Sequence, residues 1–540
     1  MREPPLTTHS KRALYALWLV FIVCFAVLHA LNLRADFPNH SPWMSDWAKF
    51  TDEGWYGSAA IRAHLFGNWY MQGDFNPAVA LPVWPLLEWV LFFFTGVTIE
   101  AVRGLAVTFF FVNLLLSYLL LRARGTRWMA LLALTLIVTS PFLYCFSRLA
   151  ILEPSLTAFM LAALNLAVRL PGFRRPLLSS VFIGLFFTLM MLCKTTAVFL
   201  LPALGWAMVL PLVRNRRLAL QTILAATAAT ALSFGLWMLT IDRLGLFRDY
   251  KYLFFVNKYI KPQEFYWPLV SFWWSLHGSL WADHFLLPLA ALVIAGALLA
   301  CRQWGRRLLV DPVFGSSVLA IAGYIFFMTV QNHPQPRYFA VAAFFAFFVV
   351  AQGAEALLGP AREPVVGSAW PRKPANRLFG WAVVGLAGLA AAMNGVSTVS
   401  YAAHPEYTFV TAAQRLTQYI DAHPNGKRLL VSISGDQITL ATHLPTICDD
   451  FGTMDLVSKL NAYQPGWFAT WNDIDPGTLE DLHNHYTLEQ VAAFRAFDHP
   501  ERNVLVLFKL HPLPAGKFRD PSVRNLQVPL PGDTIDIPIQ

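Results

Sequence analysis

Asp52-Glu53-Gly54-Trp55-Tyr56 lies one loop beyond an apolar run from Leu14 to Leu33. A helix of about 20 apolar residues spans a bilayer, so that run can cross and leave the acidic pair just outside. Carboxylates at the membrane edge are costly to place, which makes them functional candidates by default. The bland alternative is a solvated loop pair.

Composition agrees with a chain built largely in lipid. The 540 residues are 56% hydrophobic and 14% charged, with mean hydropathy +0.48. Soluble domains carry about 25% charged residues. The 43 Phe and 19 Trp suit lipid-facing helices and interfacial belts. The formal charge of +9 is uneven: Tyr401 to Gln540 carries 10 Lys and Arg against 16 Asp and Glu, and the preceding part carries 31 against 16. That asymmetry fits basic inner loops and an acidic outer domain, and it argues against a nucleic-acid partner. Of the five cysteines, Cys24, Cys145, Cys193 and Cys301 lie in apolar runs and Cys448 stands alone in the tail. No CxxC spacing occurs, so neither a zinc site nor a redox pair is expected.

Basic runs set the topology. Lys11-Arg12, Arg122 to Arg127, Arg174-Arg175, Arg214 to Arg217, Arg302 to Arg307 and Arg362 to Arg377 all belong inside. The N-terminus is then cytoplasmic. Residues 34–80 and 242–283 form outer loops. The apolar stretch 81–95 is read as interfacial or re-entrant, because the number of crossings between Arg12 and Arg122 must be even. Leu177 to Leu212 is too long for a single crossing of a ~30 Å core. Basic residues flank both of its ends, so it must turn outside, and Lys194 near its middle is the turn point. The expected fold is an α-helical polytopic membrane protein of about 11 spans over residues 1–400. A small α/β domain over 401–540 follows on the periplasmic side. Asp52 to Phe66 reads as a short helix on the membrane surface. In the tail, Phe409 to Ala422 reads as a helix, Arg428 to Ser434 and Asn503 to Lys509 as strands, and Leu488 to Phe497 as a helix between them. Pro512 to Gln540 reads as extended.

This topology gathers polar groups on one face: Asp46, Asp52, Glu53, His64, Asp74, Arg148, Glu153, Lys194, Lys251, Lys258, Lys261, His333 and Arg337, with Tyr56 and Tyr338 beside them. Each has a structural alternative. Glu153 precedes Pro154 and can simply complement a helix N-terminus. Lys194 can snorkel, and Arg337 can anchor an interface. Taken together, the set matches transfer from an anionic lipid carrier. A carboxylate takes the proton of an acceptor hydroxyl, and cations hold a phosphate leaving group.

Asp52-Glu53-Gly-Trp-Tyr, Ser147-Arg148 through Glu153-Pro154, Cys193-Lys194-Thr195 and Arg337-Tyr338 occur in the order that resembles the GT-C glycosyltransferases. The likeness is to the protein mannosyltransferase and aminoarabinose transferase group, glycosyltransferase family 39-like, over about residues 14–340. The resemblance implies a GT-C fold and an inverting hexosyl- or pentosyltransferase. Its donor would be a polyprenyl-phosphate sugar, and its acceptor hydroxyl or phosphate would belong to a glycan, lipid or protein. It implies Asp52 as catalytic carboxylate with Glu53 beside it, Glu153 as the second acidic position, and Lys194, Arg337 and Arg148 as donor-phosphate contacts. Tyr56, His64, His333 and Tyr338 are further cavity candidates. Two positions depart from aminoarabinose transferases: Trp55 stands where those enzymes usually have Arg, and Asn76-Pro77 where they have Lys-Pro. No cofactor is required. Adjacent carboxylates can hold a divalent cation, but no metal-ligand spacing calls for one. The implied location is a bacterial inner membrane in the cell envelope. The competing classes are a transporter or flippase of a lipid-linked or anionic solute, which lacks support from any inverted repeat, and a non-catalytic scaffold.

Overall fold

The computed structural model describes residues 8–256, 286–301, 303–330, 335–358, 374–499 and 502–513. His333, Lys258, Lys261 and the expected extended tail lie outside the described residues, except that Pro512 ends a strand.

The chain is a multi-pass membrane protein. Among the described residues, seven helices are long and apolar enough to cross a membrane, and eight if the bent pair Arg127–Thr139 and Pro141–Ser147 is one span. In chain order the first ten helices are α1 Thr8–Leu28, α2 Asp52–Phe66, α3 Val83–Thr95, α4 Ile99–Arg124, α5 Arg127–Thr139, α6 Pro141–Ser147, α7 Glu153–Ala167, α8 Pro176–Cys193, α9 Leu201–Val209 and α10 Arg216–Arg243. The expected count of about eleven also includes α1, α7 and Leu286–Leu299, which are not long and apolar enough to be counted by themselves. The stretch 81–95 forms α3, a helix of 13 residues.

The long apolar run breaks at Lys194. Its backbone is extended, with φ −155° and ψ 127°, and a 3₁₀ turn over Thr195–Leu200 leads into α9. At the centre, Phe339–Leu358 has nearly every residue buried. By contrast α10 leaves most of its apolar surface exposed, as suits a lipid-facing helix.

The soluble part is a five-stranded sheet in the order β2-β1-β3-β5-β4, with β1 Lys427–Val431, β2 Thr446–Ile447, β3 Pro465–Trp471, β4 Tyr486–Arg495 and β5 Val504–Pro512. Strand β1 is parallel to β2 and β3, whereas β5 runs antiparallel to β3 and β4. The expected helix over Leu488 to Phe497 is wrong: those residues lie in β4 and the segment just after it. The Ala-rich stretch favours a helix locally, but nine residue pairs with β5 outweigh that preference, with an irregularity at Gln490/Ala492.

The acidic stretch opens the expected helix, and that helix is packed inside the protein. Helix α2 has the expected ends but is mostly buried, packed between α3 and the C-terminal helix Gly435–Thr442. It stops at Gly67, whose φ of 76° is the left-handed conformation glycine adopts readily. Just before α2, Phe50 is fully buried among Phe409, Leu416, Trp467, Trp471 and Phe497 of the C-terminal domain. Its ring lies 5.1 Å from Trp471 and 5.0 Å from Phe497. The segment before α2 therefore supplies part of the C-terminal domain's core, and the two parts fold against each other.

Candidate active site

Five buried charged side chains, Asp46, Asp52, Glu153, Lys194 and Arg337, meet beside the N-terminus of α2. Thr51 precedes that helix and donates from Oγ1 to Asp52 Oδ1 at 3.0 Å. Asp52 Oδ2 lies 2.7 Å from Arg337 Nη2. Arg337 follows Pro336 at the entry to the central helix, so its position is fixed by a buried element. A second carboxylate holds it there: Asp46 accepts from the Arg337 backbone N–H at 2.8 Å and from Nη1 at 2.6 Å. Asp46 itself caps the turn Trp47–Lys49, taking the Ala48 N–H at 2.8 Å.

The second pair is Lys194, at the break between α8 and the following turn, with Glu153 at the start of α7. Tyr338 joins the two pairs. Its ring centroid is 4.5 Å from Lys194 Nζ and 4.9 Å from the Arg337 guanidinium carbon. Both cations thus flank one aromatic ring. Tyr56, half-buried on α2, lies in the field of Asp52, Arg337, Tyr338 and Glu153. Burial pushes the Asp52 carboxyl above its usual range, against the pull of Arg337 and Lys194, and Asp46 raises it further. Three buried atoms in this group make no hydrogen bond: Asp52 Oδ2, which is held only by its ion pair with Arg337, Glu153 Oε2 and Arg337 Nε. A buried polar atom left open is costly, and a ligand can satisfy it.

The other expected residues lie elsewhere. Glu53, next to Asp52, is fully buried and saturated. It accepts from Arg103 Nε and Nη2, each at 2.7 Å, from the Ala150 N–H at 2.9 Å and from Gln437 Nε2 at 2.9 Å. Four donors fill the acceptor sites of a carboxylate. Arg148 donates to the Tyr144 hydroxyl and to the carbonyls of Leu31 at 2.5 Å and Asn32 at 2.7 Å, tying down the chain beyond α1. His64 faces the Trp89 carbonyl at 3.0 Å and the ring of Phe93.

A second buried charge cluster joins α2 to the C-terminal domain. Arg62 Nη2 pairs with Asp74 at 2.7 Å and Asp436 at 2.9 Å, and Lys459 reaches Asp74 at 3.2 Å. Arg103, Gln437, Asp436 and Lys459 were not among the expected site residues. Arg103 had a signal: it lies at the end of an apolar run, where a cation needs a partner. Among the described residues no three His, Cys, Asp or Glu side chains are grouped to hold a metal.

No protein-family model and no curated protein matches the chain. Solved structures do. ArnT from Cupriavidus metallidurans in the apo state superposes with a TM-score of 0.57 at 14% identity, covering 91% of this chain and 98% of that one. The same enzyme bound to undecaprenyl phosphate gives 0.53 at 14% identity, with the same coverage. The oligosaccharyltransferase AglB from Archaeoglobus fulgidus, in complex with an inhibitory peptide and a dolichol-phosphate, gives 0.50 at 12% identity, over 91% of this chain and 74% of that one. The chain has the fold of the GT-C glycosyltransferases.

Proposed function

We propose that this protein moves a sugar from a polyprenyl-phosphate donor to an acceptor at the periplasmic face of a bacterial inner membrane, with Asp52 as general base. The observation that carries this reading is the convergence of Asp52–Arg337 and Glu153–Lys194 on the Tyr338 ring. The acceptor hydroxyl gives its proton to Asp52 as its oxygen bonds the anomeric carbon. The bond from that carbon to the phosphate oxygen breaks, and the electron pair leaves with the polyprenyl phosphate. Lys194 and Arg337 take up the charge developing on that phosphate. In-line attack of this kind inverts the anomeric centre. A polyprenyl-phosphate ligand in the ArnT neighbour supports the choice of donor.

Membranes containing the protein are incubated with a labelled polyprenyl-phosphate sugar, and the labelled product is identified. Label moving to a new acceptor, absent from membranes lacking the protein, supports the reading. Label that stays on the donor, or donor that crosses the bilayer unchanged, favours transport.

A further inference from the structure

We infer that the C-terminal domain is a working part of the active site and that Gln437 is a positioning residue for Asp52. This rests on the reading of Asp52 as the base. Asp52 begins α2, and its flanking cap residue Thr51 makes no side-chain cap to that helix. The first N–H groups of a helix have no partner within it. Gln437, from a distant part of the sequence, supplies one: its Oε1 accepts from the Gly54 N–H at 2.8 Å. Its Nε2 donates to Glu53 Oε2 at 2.9 Å. The two partners fix the amide's orientation, because the N–H only donates and the carboxylate only accepts. Gln437 is fully buried.

The contact is close on the backbone as well. A Cβ at Gly54 would lie 2.2 Å from the Asp436 carbonyl carbon and 2.3 Å from the Gln437 nitrogen. Two helix N-termini meet here, each the positive end of a dipole. Asp52 and Glu53 in one first turn, and Asp436 in the other, offset that repulsion. Asp436 also reaches back to Arg62 of α2 at 2.9 Å. On the other side of Asp52, Phe50 is held in the domain's own core. The domain therefore grips the chain immediately before and immediately after Asp52, and the carboxylate between the grips has its place set by both.

The test is Gln437→Met, which keeps the volume and removes both hydrogen bonds. Steady-state transfer is measured with a polyprenyl-phosphate sugar, in a background where Cys24 and Cys301 are replaced. Cys448, buried at the junction, reports docking through its reactivity with a thiol reagent. The expected result is a kcat lower by about 10- to 100-fold, the scale of a misplaced catalytic group, with donor KM unchanged and Cys448 as protected as in the parent. Gly54→Ala should give a larger loss. An unchanged kcat in Gln437→Met overturns the inference, and so does a loss that appears only together with exposure of Cys448. Asp52→Asn is assayed alongside. If it stays active, the reading of Asp52 fails and the inference with it. If it is inactive while Gln437→Met is normal, only the inference fails.

Discussion

Asp52 and Glu53 are adjacent in the chain, yet they belong to two different charge clusters. Glu53 points to Arg103, Ala150 and Gln437, and its acceptor sites are filled. Asp52 points to Arg337 in a group that keeps open atoms at Glu153 Oε2 and Arg337 Nε. Both clusters are buried and both pair acids with cations. Saturation is what separates them: a filled carboxylate holds structure together, whereas a group with unmet hydrogen-bonding atoms can gain from a ligand. A one-residue step along α2 turns the side chain by about 100°, enough to aim neighbours into different surroundings.

The largest effect that bears on this contrast is on stability. Arg103→Met strands the Glu53 charge in a buried site, and breaking such a pair costs about 3–5 kcal/mol. We expect the variant to accumulate poorly and to melt well below the parent; a normal melt would show that Glu53 is not the structural tie described above. Next is Lys194→Ala. Losing a charge-assisted contact of about 1.5–3 kcal/mol predicts donor KM raised roughly 10- to 100-fold, with a lower melting temperature as well because Glu153 loses its partner. Donor kinetics that do not change would reduce Lys194 to an interfacial anchor.

A third expectation concerns pH. Burial raises the Asp52 carboxyl above its ordinary range. A base must be ionised to work, so kcat should fall as pH drops through a value above the usual aspartate pKa of about 3.9. An acid limb at or below that value would contradict the burial of Asp52. The smallest effect lies in the C-terminal domain. Burial, with Asp450 beside it, raises Asp449 to about 7. The folded state then binds a proton more tightly than the unfolded chain, so stability is full at low pH and is lost as pH rises toward 7. Asp449→Asn should raise the melting temperature by a few degrees at pH 8 and by less at pH 5. An equal shift at both pH values would be the contrary outcome.

Much of the fold was legible because it rests on local signals. The break at Lys194 followed from an apolar run too long to cross once, and the ends of α2 coincide with Asp52 and Phe66. Strands β1 and β5 were visible as short apolar runs. Strand β4 was not, because what makes it a strand is its partner β5 and not its own Ala-rich composition. The site was legible in part for the same reason. The convergence of Asp52, Glu153, Lys194 and Arg337 could be expected from topology. The contrast between Asp52 and Glu53 could not, because it depends on Gln437, on Arg103 and on the Ala150 N–H, partners brought in by tertiary packing.

The most direct measurement of that contrast is the transfer rate of Asp52→Asn and Glu53→Gln, each compared with wild type per mole of folded protein and with the same labelled polyprenyl-phosphate sugar. Loss of the general base predicts a fall of about 10²–10⁴-fold for Asp52→Asn in a protein that folds normally. Glu53→Gln should be poorly folded, yet lie within about tenfold of wild type once folded. The reverse ranking, with Asp52→Asn active and folded Glu53→Gln dead, would contradict the account and move the base to Glu53.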